Sequence, residues 1–154
     1  MEPIIRPVMM QDLSEILLIE EQCFKSPWSP SVFFLLADRQ GHVLNREGEI
    51  SMLVAEVEGQ VVAYIVWEYE IRQKRGHLLN IAVQDDYRRR GIAGTLLSCA
   101  LESFQSTEAE MFFLEVRESN TSARRFYEKM GMASVSRSKR YYEDEDAIIY
   151  QVKL

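Results

Sequence analysis

The segment from residue 77 to residue 131 constrains the fold most, because short apolar runs alternate there with helical patterns. Its successive parts are an apolar run over 77–83, apolar residues at helical spacing over 92–104, an apolar run over 111–116 and a helix over 120–130. Each apolar run is typical of a strand covered on both faces. A strand, a helix and a strand in this order form a crossover, and a crossover joins parallel strands.

The residues before this segment predict three strands and two helices. These are an edge strand over 4–8, a helix that begins after Asp12, a short helix over 30–37, a polar loop over 38–49, and a hairpin over 50–57 and 61–71. Pro7 favours an edge position because it has no N–H for a central ladder. Asp12 is placed as an N-cap with Glu15 completing a capping box, and Ser29 is placed as the N-cap of the second helix.

The residues after Gly131, which is placed to end the last helix, predict two further strands. They cover about 132–140 and 147–152, and the acidic turn 143–146 joins them. We therefore predict a mixed α/β sheet of about seven strands flanked by four helices, antiparallel at its start and parallel in its middle. A chain of 154 residues has the usual size of one domain, so we assign a single domain over 1–154. A ligand is expected at the carboxyl ends of the parallel strands.

The charge balance disfavours a nucleic-acid partner. The chain has 18 Lys and Arg against 24 Asp and Glu, and its basic residues are scattered except for the run Arg88-Arg89-Arg90. Non-specific nucleic-acid binding needs a broad basic face. An acidic surface would instead attract a basic polypeptide.

Neither a metal site nor a membrane segment is expected. Cys23 and Cys99 are far apart, and together with His42 and His77 they give no zinc-type ligand spacing. The start of the chain lacks a signal peptide's apolar stretch, and no run approaches the roughly 20 apolar residues that span a bilayer. We expect a cytoplasmic protein with reduced cysteines.

The turn between the first crossover strand and its helix has the features of a phosphate site. Gly91 and Gly94 let the backbone approach a ligand, and the first turn of a helix presents free N–H groups. Arg89 and Arg90 can add charge-assisted contacts. An ordinary turn with solvated arginines remains the alternative. The Walker pattern needs a lysine after Gly94, where Thr95 stands, and the dinucleotide pattern GxGxxG is also absent.

At this turn the sequence resembles the GNAT acetyltransferases. Arg88-x-x-Gly91-x-Ala93 fits their signature of Gln or Arg, two residues, Gly, one residue, and Gly or Ala. The segments 114–123 and 126–132 resemble the ribosomal-protein-alanine N-acetyltransferases (RimI type). With 24–29 and Tyr141-Tyr142, the resemblance runs through nearly the whole chain. The chain departs from that group just after Tyr142, where Glu143 replaces a common proline and the turn is shorter.

The resemblance implies a GNAT fold that binds acetyl-CoA in a cleft between splayed parallel strands, 77–83 and 111–116. It implies that the backbone of Ile81, Ala82 and Val83 pairs with the pantetheine arm, that Arg89, Arg90, Gly91, Ile92, Ala93 and Gly94 surround the pyrophosphate, and that Asn120 contacts the cofactor. Trp28, Tyr141 and Tyr142 would flank the peptide entrance. Glu115 matches the family's general base and Tyr127 its general acid.

Elementary chemistry supports those two roles. A protein α-amine has a pKa of about 7.7–8.0 and attacks a thioester only when neutral, so a base such as Glu115 is useful. A thiolate leaving group, with a pKa of about 8.5 by analogy with cysteine, can take a proton from a phenol such as Tyr127. Glu115 as a solvated strand end, Tyr127 as a core aromatic and Asn120 as an N-cap remain open, as does a plain surface patch at Trp28 and the tyrosine pair.

The predicted reaction is direct acetyl transfer to the N-terminal amine of a protein, and the RimI resemblance implies the alanine of ribosomal protein S18. No acyl-enzyme is expected, because neither cysteine lies in the motif segments. Two alternatives stay open. One is a GNAT enzyme that acetylates a small-molecule amine, and the other is a non-catalytic acyl-CoA-binding module.

Overall fold

A computed structural model describes residues 2–154, which form one mixed sheet with two helices on each face. The strands are β1 Ile4–Pro7, β2 His42–Leu44, β3 Gly48–Val57, β4 Gln60–Glu70, β5 Arg75–Val83, β6 Met111–Arg117, β7 Ala133–Tyr142 and β8 Glu145–Lys153. The helices are α1 Leu13–Cys23, α2 Pro30–Asp38, α3 Ile92–Glu102 and α4 Thr121–Lys129. The strand order is β1-β3-β4-β5-β6-β8-β7, and β2 pairs with β3.

Strands β5 and β6 are parallel, as the crossover pattern predicts, and they separate soon after they meet. Their register joins Arg75 to Met111, Gly76 to Phe112 and His77 to Phe113. Beyond that point β5 keeps its pairing with β4 as far as Val83, and β6 keeps its pairing with β8. A gap therefore opens between the carboxyl halves of β5 and β6.

Each face of the sheet packs against its own pair of helices. Helices α3 and α4 cover the face to which Ile65 and Trp67 of β4 point, and α1 and α2 cover the face to which Tyr64 and Val66 point. This alternation is the period-two pattern of a strand buried on both sides. Within residues 2–154, no helix is both long enough and apolar enough to cross a lipid bilayer.

The sheet has eight strands, where the sequence predicts about seven. The additional strand, β2, lies in the range 38–49 that is predicted as a polar loop, so that prediction is wrong for His42–Leu44. Val43 is half-buried between two exposed residues, and the strand pairs on one edge with β3. Such a short strand has no buried apolar run by which to recognise it.

Asp12 occupies the N-cap position of α1, as predicted, but its side chain makes no capping hydrogen bond to that helix, so the predicted capping box is wrong. Asp12 closes a 3-10 turn, and its carboxylate accepts a hydrogen bond from Met9 N at 2.8 Å while it pairs with Arg6. Glu15 reaches instead to Val61 N, at 3.1 Å. Asp12 and Glu15 therefore bind the Arg6 guanidinium and the backbone of β4 instead of the start of the helix. The cap predicted at Ser29 is confirmed, since its hydroxyl accepts from the backbone of α2.

Candidate active site

Glu115 and His77 meet at the point where β5 and β6 separate. Their side chains lie on the same face because His77 pairs with Phe113, two residues before Glu115. His77 Nε2 is 2.7 Å from Glu115 Oε1, and both side chains are about 15% exposed, at 16% and 15%. The His77 ring stacks on Phe113 with centroids 4.2 Å apart. The imidazole therefore has one face covered and one nitrogen on the carboxylate.

A second carboxylate approaches the other nitrogen of this imidazole. Glu70 Oε2 lies 3.6 Å from His77 Nδ1, and Arg75 Nε lies 2.5 Å from Glu70 Oε1. Burial and the charge of Glu70 raise the pKa of Glu68, which stands beside it. An open pocket of about 590 Å³ borders these side chains. The histidine thus lies between two carboxylates, one of which, Glu70, lines the pocket.

Tyr127 lies in the core cluster that α3 and α4 form with the sheet. Its side chain is 6% exposed, and its ring packs near Phe126 and Tyr150. Burial raises the pKa of its phenol above the ordinary value. The hydroxyl therefore keeps its proton at neutral pH, which suits a proton donor. The packing role considered from the sequence is present, and it is compatible with that chemistry.

The turn before α3 leaves backbone donors without a helical acceptor. Gly91 is the N-cap, with φ +79°, and a Cβ placed there would meet no atom within 4 Å. Thr95 N bonds to Gly91 O, so the N–H groups of Ile92, Ala93 and Gly94 precede the first helical bond. The side chains of Arg89 and Arg90 at this turn are exposed. The arrangement provides room, free N–H groups and positive charge together.

The edge of β5 beyond the gap has no strand partner along Ile81 and Ala82, while the other edge pairs with β4. Val83 differs, because its carbonyl accepts from Arg88 Nε at 3.2 Å and from Cys23 Sγ at 3.6 Å. A ligand that uses this carbonyl has to displace those bonds. Arg88 therefore fastens the turn to the strand.

Asn120 stands just before α4 and caps that helix. Its Oδ1 accepts a hydrogen bond from Ala123 N at 3.1 Å, and its side chain is exposed. The capping role left open in the sequence is therefore present. A contact of Asn120 with a cofactor stays a prediction.

Aromatic side chains lie in the loop between α1 and α2 and at the end of β7. Trp28 follows α1 and stacks on Phe33 of α2, with ring centroids 5.5 Å apart. In β7 Tyr142 Oη donates to the Glu115 carbonyl at 3.3 Å, and the Arg117 guanidinium lies 4.3 Å from the Tyr142 ring centroid. Tyr141, next to Tyr142, is 51% exposed.

The loop of Trp28 and the β7–β8 turn approach each other across the site. Lys25 Nζ lies 3.7 Å from Asp144 Oδ2, which joins the two segments by an exposed ion pair. The ion pair brings the two segments together, and a position of Trp28, Tyr141 and Tyr142 at a peptide entrance stays a prediction.

The profile of the acetyltransferase (GNAT) family matches residues 13–132, a range that contains α1 to α4 and both strands of the gap. The chain belongs to the GNAT family. The predicted GNAT fold, with a mixed sheet, four helices and a splayed parallel pair, is confirmed, apart from the additional strand β2.

Other GNAT proteins resemble the chain along most of its length. An N-alpha-acetyltransferase of Sulfurisphaera tokodaii is 34% identical over 162 residues, covering 97% of this chain and 92% of the relative. The ribosomal protein bS18-alanine N-acetyltransferase of Escherichia coli is 30% identical over 142 residues, covering 90% and 88%. The crystal structure of the S18-alanine enzyme from Escherichia coli matches with a TM-score of 0.78 at 26% identity, over 98% of this chain and 93% of that one. The chain is therefore an acetyltransferase.

His77 is not among the site residues predicted from the sequence, where it is weighed only as a metal ligand. The sequence gives no register between the two parallel strands. The signal was present, since 77 and 115 both fall within runs predicted as neighbouring parallel strands. Only the register, His77 opposite Phe113, places the imidazole beside the carboxylate.

Proposed function

We propose that this GNAT chain transfers an acetyl group from acetyl-CoA to the α-amino group of a protein N-terminus, with the alanine of ribosomal protein S18 as its preferred acceptor. The observation that carries the proposal is the Glu115–His77 pair, 2.7 Å apart, at the mouth of the β5–β6 gap. The names of the relatives support an N-terminal amine, and the S18-alanine enzyme supports the finer assignment. Because ribosomal proteins are made in the cytoplasm, a cytoplasmic location is part of the proposal.

The residues present fit acetyl-CoA. The N-terminal N–H groups of α3 and the space at Gly91 suit a pyrophosphate, and the free edge at Ile81 and Ala82 suits the amide groups of a pantetheine arm. Arg89 and Arg90 add positive charge there. When bound, acetyl-CoA supplies the thioester carbonyl that an amine attacks.

Glu115 takes the proton of the amine, directly or through a water. The α-amine has a pKa of about 7.7–8.0, so much of it is protonated at neutral pH and has to lose a proton before attack. His77 holds Oε1 of Glu115, which leaves Oε2 to accept that proton. The imidazole also disperses the charge change on the carboxylate, because its two nitrogens face Glu115 and Glu70.

Tyr127 donates a hydrogen bond, and finally its proton, to the leaving sulfur. Burial raises the pKa of its phenol and makes it a weaker acid, so the hydroxyl stays protonated and donates its hydrogen bond to the sulfur until negative charge has developed there. Direct transfer to the amine accords with the cysteines: Cys99 lies in α3, where burial raises its thiol pKa and disfavours the nucleophilic thiolate.

The test is acetylation of a peptide library, followed by mass spectrometry. Peptides that share a sequence but begin with Ala, Ser, Met or Glu are incubated with acetyl-CoA beside a polyamine and an aminoglycoside. We expect acetylation at the α-amine, fastest for the Ala peptide of S18, and none on the same peptide with a blocked N-terminus. Glu115→Gln protein is the matched control for uncatalysed transfer.

Two outcomes would overturn the proposal. Turnover confined to the small amines would identify a small-molecule acetyltransferase. Binding of acetyl-CoA without transfer to any amine would identify a binding module. A preference for protein N-termini with another first residue would overturn only the assignment of S18 alanine as acceptor, and N-terminal acetylation would stand.

A further inference from the structure

Glu20, in the last turn of α1, is a buried carboxylate outside the chemistry described above. Its residue is 2% exposed. Oε2 accepts a hydrogen bond from Trp28 N at 2.8 Å, and Oε1 accepts from Asn80 Nδ2 at 2.8 Å and from the Tyr64 hydroxyl. All three donors are neutral groups.

The chemistry of this position is unusual for simple packing. The other buried carboxylate, Asp12, lies beside the Arg6 guanidinium, which offsets its charge. Glu20 is surrounded by apolar side chains of the α1–α2 cluster and has only dipoles for partners. Because burial of a charge is costly, an apolar side chain would fill this space at least as well. What the carboxylate adds is a set of three directed hydrogen bonds.

Those bonds connect the acceptor side of the site with the cofactor side. Trp28 belongs to the loop between α1 and α2 that is predicted to flank the peptide entrance, and Asn80 directly precedes Ile81 on the free edge of β5. The Trp28 ring is held in the same place by Phe33, which packs edge-on against Tyr64 at 5.6 Å. Glu20 therefore positions the Trp28 backbone directly, and it positions the Trp28 ring indirectly through Tyr64 and Phe33.

We propose that Glu20 is a positioning residue that fixes the Trp28 loop relative to strand β5, and thereby sets how the acceptor amine meets the acetyl group. The inference rests on the proposed function. It predicts that Glu20 affects the KM and turnover of the acceptor peptide more than the KM of acetyl-CoA, because the three hydrogen bonds of Glu20 go to Trp28, Tyr64 and Asn80 and none of them goes to the turn before α3. Fixed geometry of this kind is a large part of catalytic rate.

Three variants at Glu20 separate positioning from folding. Glu20→Leu removes all three acceptor contacts, and we expect kcat/KM for the peptide to fall about tenfold or more. Glu20→Asp keeps the charge, but its shorter side chain cannot reach Trp28 N and Asn80 together, so a smaller loss of about threefold is expected. Glu20→Gln keeps an oxygen for Trp28 N, and its NH2 group can donate to the Tyr64 hydroxyl and, once the Asn80 amide turns over, to Asn80 Oδ1, so it should remain within about threefold of the parent.

Asp12→Asn is the matched control, because it removes the charge of a buried carboxylate, and its ion pair with Arg6, at the opposite end of α1. It should lower the Tm and leave the ratio of peptide KM to acetyl-CoA KM unchanged. Amide hydrogen exchange over residues 24–29 gives a readout that needs no activity. We expect faster exchange there in Glu20→Leu and Glu20→Asp, and parent-like exchange in Asp12→Asn and Glu20→Gln.

The outcomes distinguish the two proposals. If the parent protein acetylates no peptide, the proposed function fails. If it acetylates peptides, and Glu20→Leu and Glu20→Asp match it in both peptide kcat/KM and loop exchange, the positioning role fails. If the KM of acetyl-CoA rises as much as that of the peptide, Glu20 acts on the whole fold and the inference is overturned. Should Glu20→Leu not fold, Glu20→Asp decides.

Discussion

Nε2 of His77 lies 2.7 Å from Oε1 of Glu115, across the point where two parallel strands separate. The bond unites residues that are 38 positions apart in the chain. Both side chains are mostly buried, so the pair is shielded from competing water. A carboxylate that shares a hydrogen bond with an imidazole is held in one orientation, and we expect the two residues to act together.

Replacing His77 should lower turnover without unfolding the protein. In His77→Gln the carboxylate loses its aromatic partner, and we expect kcat to fall by about tenfold or more. Steady-state kinetics with peptide and acetyl-CoA measures the change. His42→Gln is the control, because His42 lies exposed on β2 beside Glu49. Equal activity of both variants and the parent would remove His77 from the site.

Replacing Glu115 should lower turnover more than replacing His77 does. Glu115→Gln lacks a proton acceptor, so we expect kcat to fall roughly 10²-fold while the affinity for acetyl-CoA stays within about threefold. The control is Glu110→Gln, at the exposed approach to the same strand. The double variant with His77→Gln should be hardly slower than Glu115→Gln alone, because residues that work together are not additive. Additive losses would contradict a shared role.

Tyr127→Phe removes one hydroxyl from a residue that otherwise packs in the core. The ring remains, so the Tm should change little, whereas kcat should fall by roughly 10²-fold if the phenol serves the leaving sulfur. Thermal melts and kinetics on the same sample separate a packing role of Tyr127 from a role in proton donation. A parent-like kcat would leave Tyr127 with packing alone.

Gly91→Ala tests the phosphate turn. Both Gly91 and Gly59 have φ near +80°, at +79° and +81°, and neither has an atom within 4 Å of an added Cβ. Alanine should therefore cost about 1–2 kcal/mol of stability at either position. At Gly91 alone the methyl also occupies ligand space, so the KM for acetyl-CoA should rise about tenfold or more relative to Gly59→Ala. Equal KM values for acetyl-CoA in the two variants would show that the pyrophosphate does not bind at Gly91.

Alkaline pH should destabilise the fold through its buried tyrosines. Burial raises the pKa of Tyr142 to about 12, and burial raises the pKa of Tyr127 as well. An unfolded tyrosine ionises near its ordinary pKa of about 10, so the folded protein has its full stability below pH 10 and loses it as the pH rises toward about 12. Thermal melts from pH 8 to pH 11.5 should show a falling Tm, with a shallower fall in Tyr142→Phe. A parallel fall in that variant would assign the effect to other groups.

The middle of the sheet could be predicted from the sequence because its signals are local. A crossover with a long enough helix has to join parallel strands, and Pro7 correctly marks β1 as an edge. The caps at Ser29 and Asn120 were likewise predictable, since each side chain has the adjacent helix start as its nearest partner.

Other features depend on partners that are remote in sequence. Asp12 has the form of a cap but pairs with Arg6, and Glu15 reaches the start of β4. Strand β2 exists because β3 offers an edge to it, which the three residues His42–Leu44 alone do not reveal. The same holds for His77, whose importance follows from the register of β5 on β6.

The brief contact between β5 and β6 makes the sheet two half-sheets joined by a short seam, with β1 to β5 on one side and β6 to β8 on the other. A molecule bound along the seam would contact both halves and act as a splint between them. Binding of acetyl-CoA along the seam should then stabilise the domain as a whole. The free energy of unfolding should rise as more of the protein has acetyl-CoA bound.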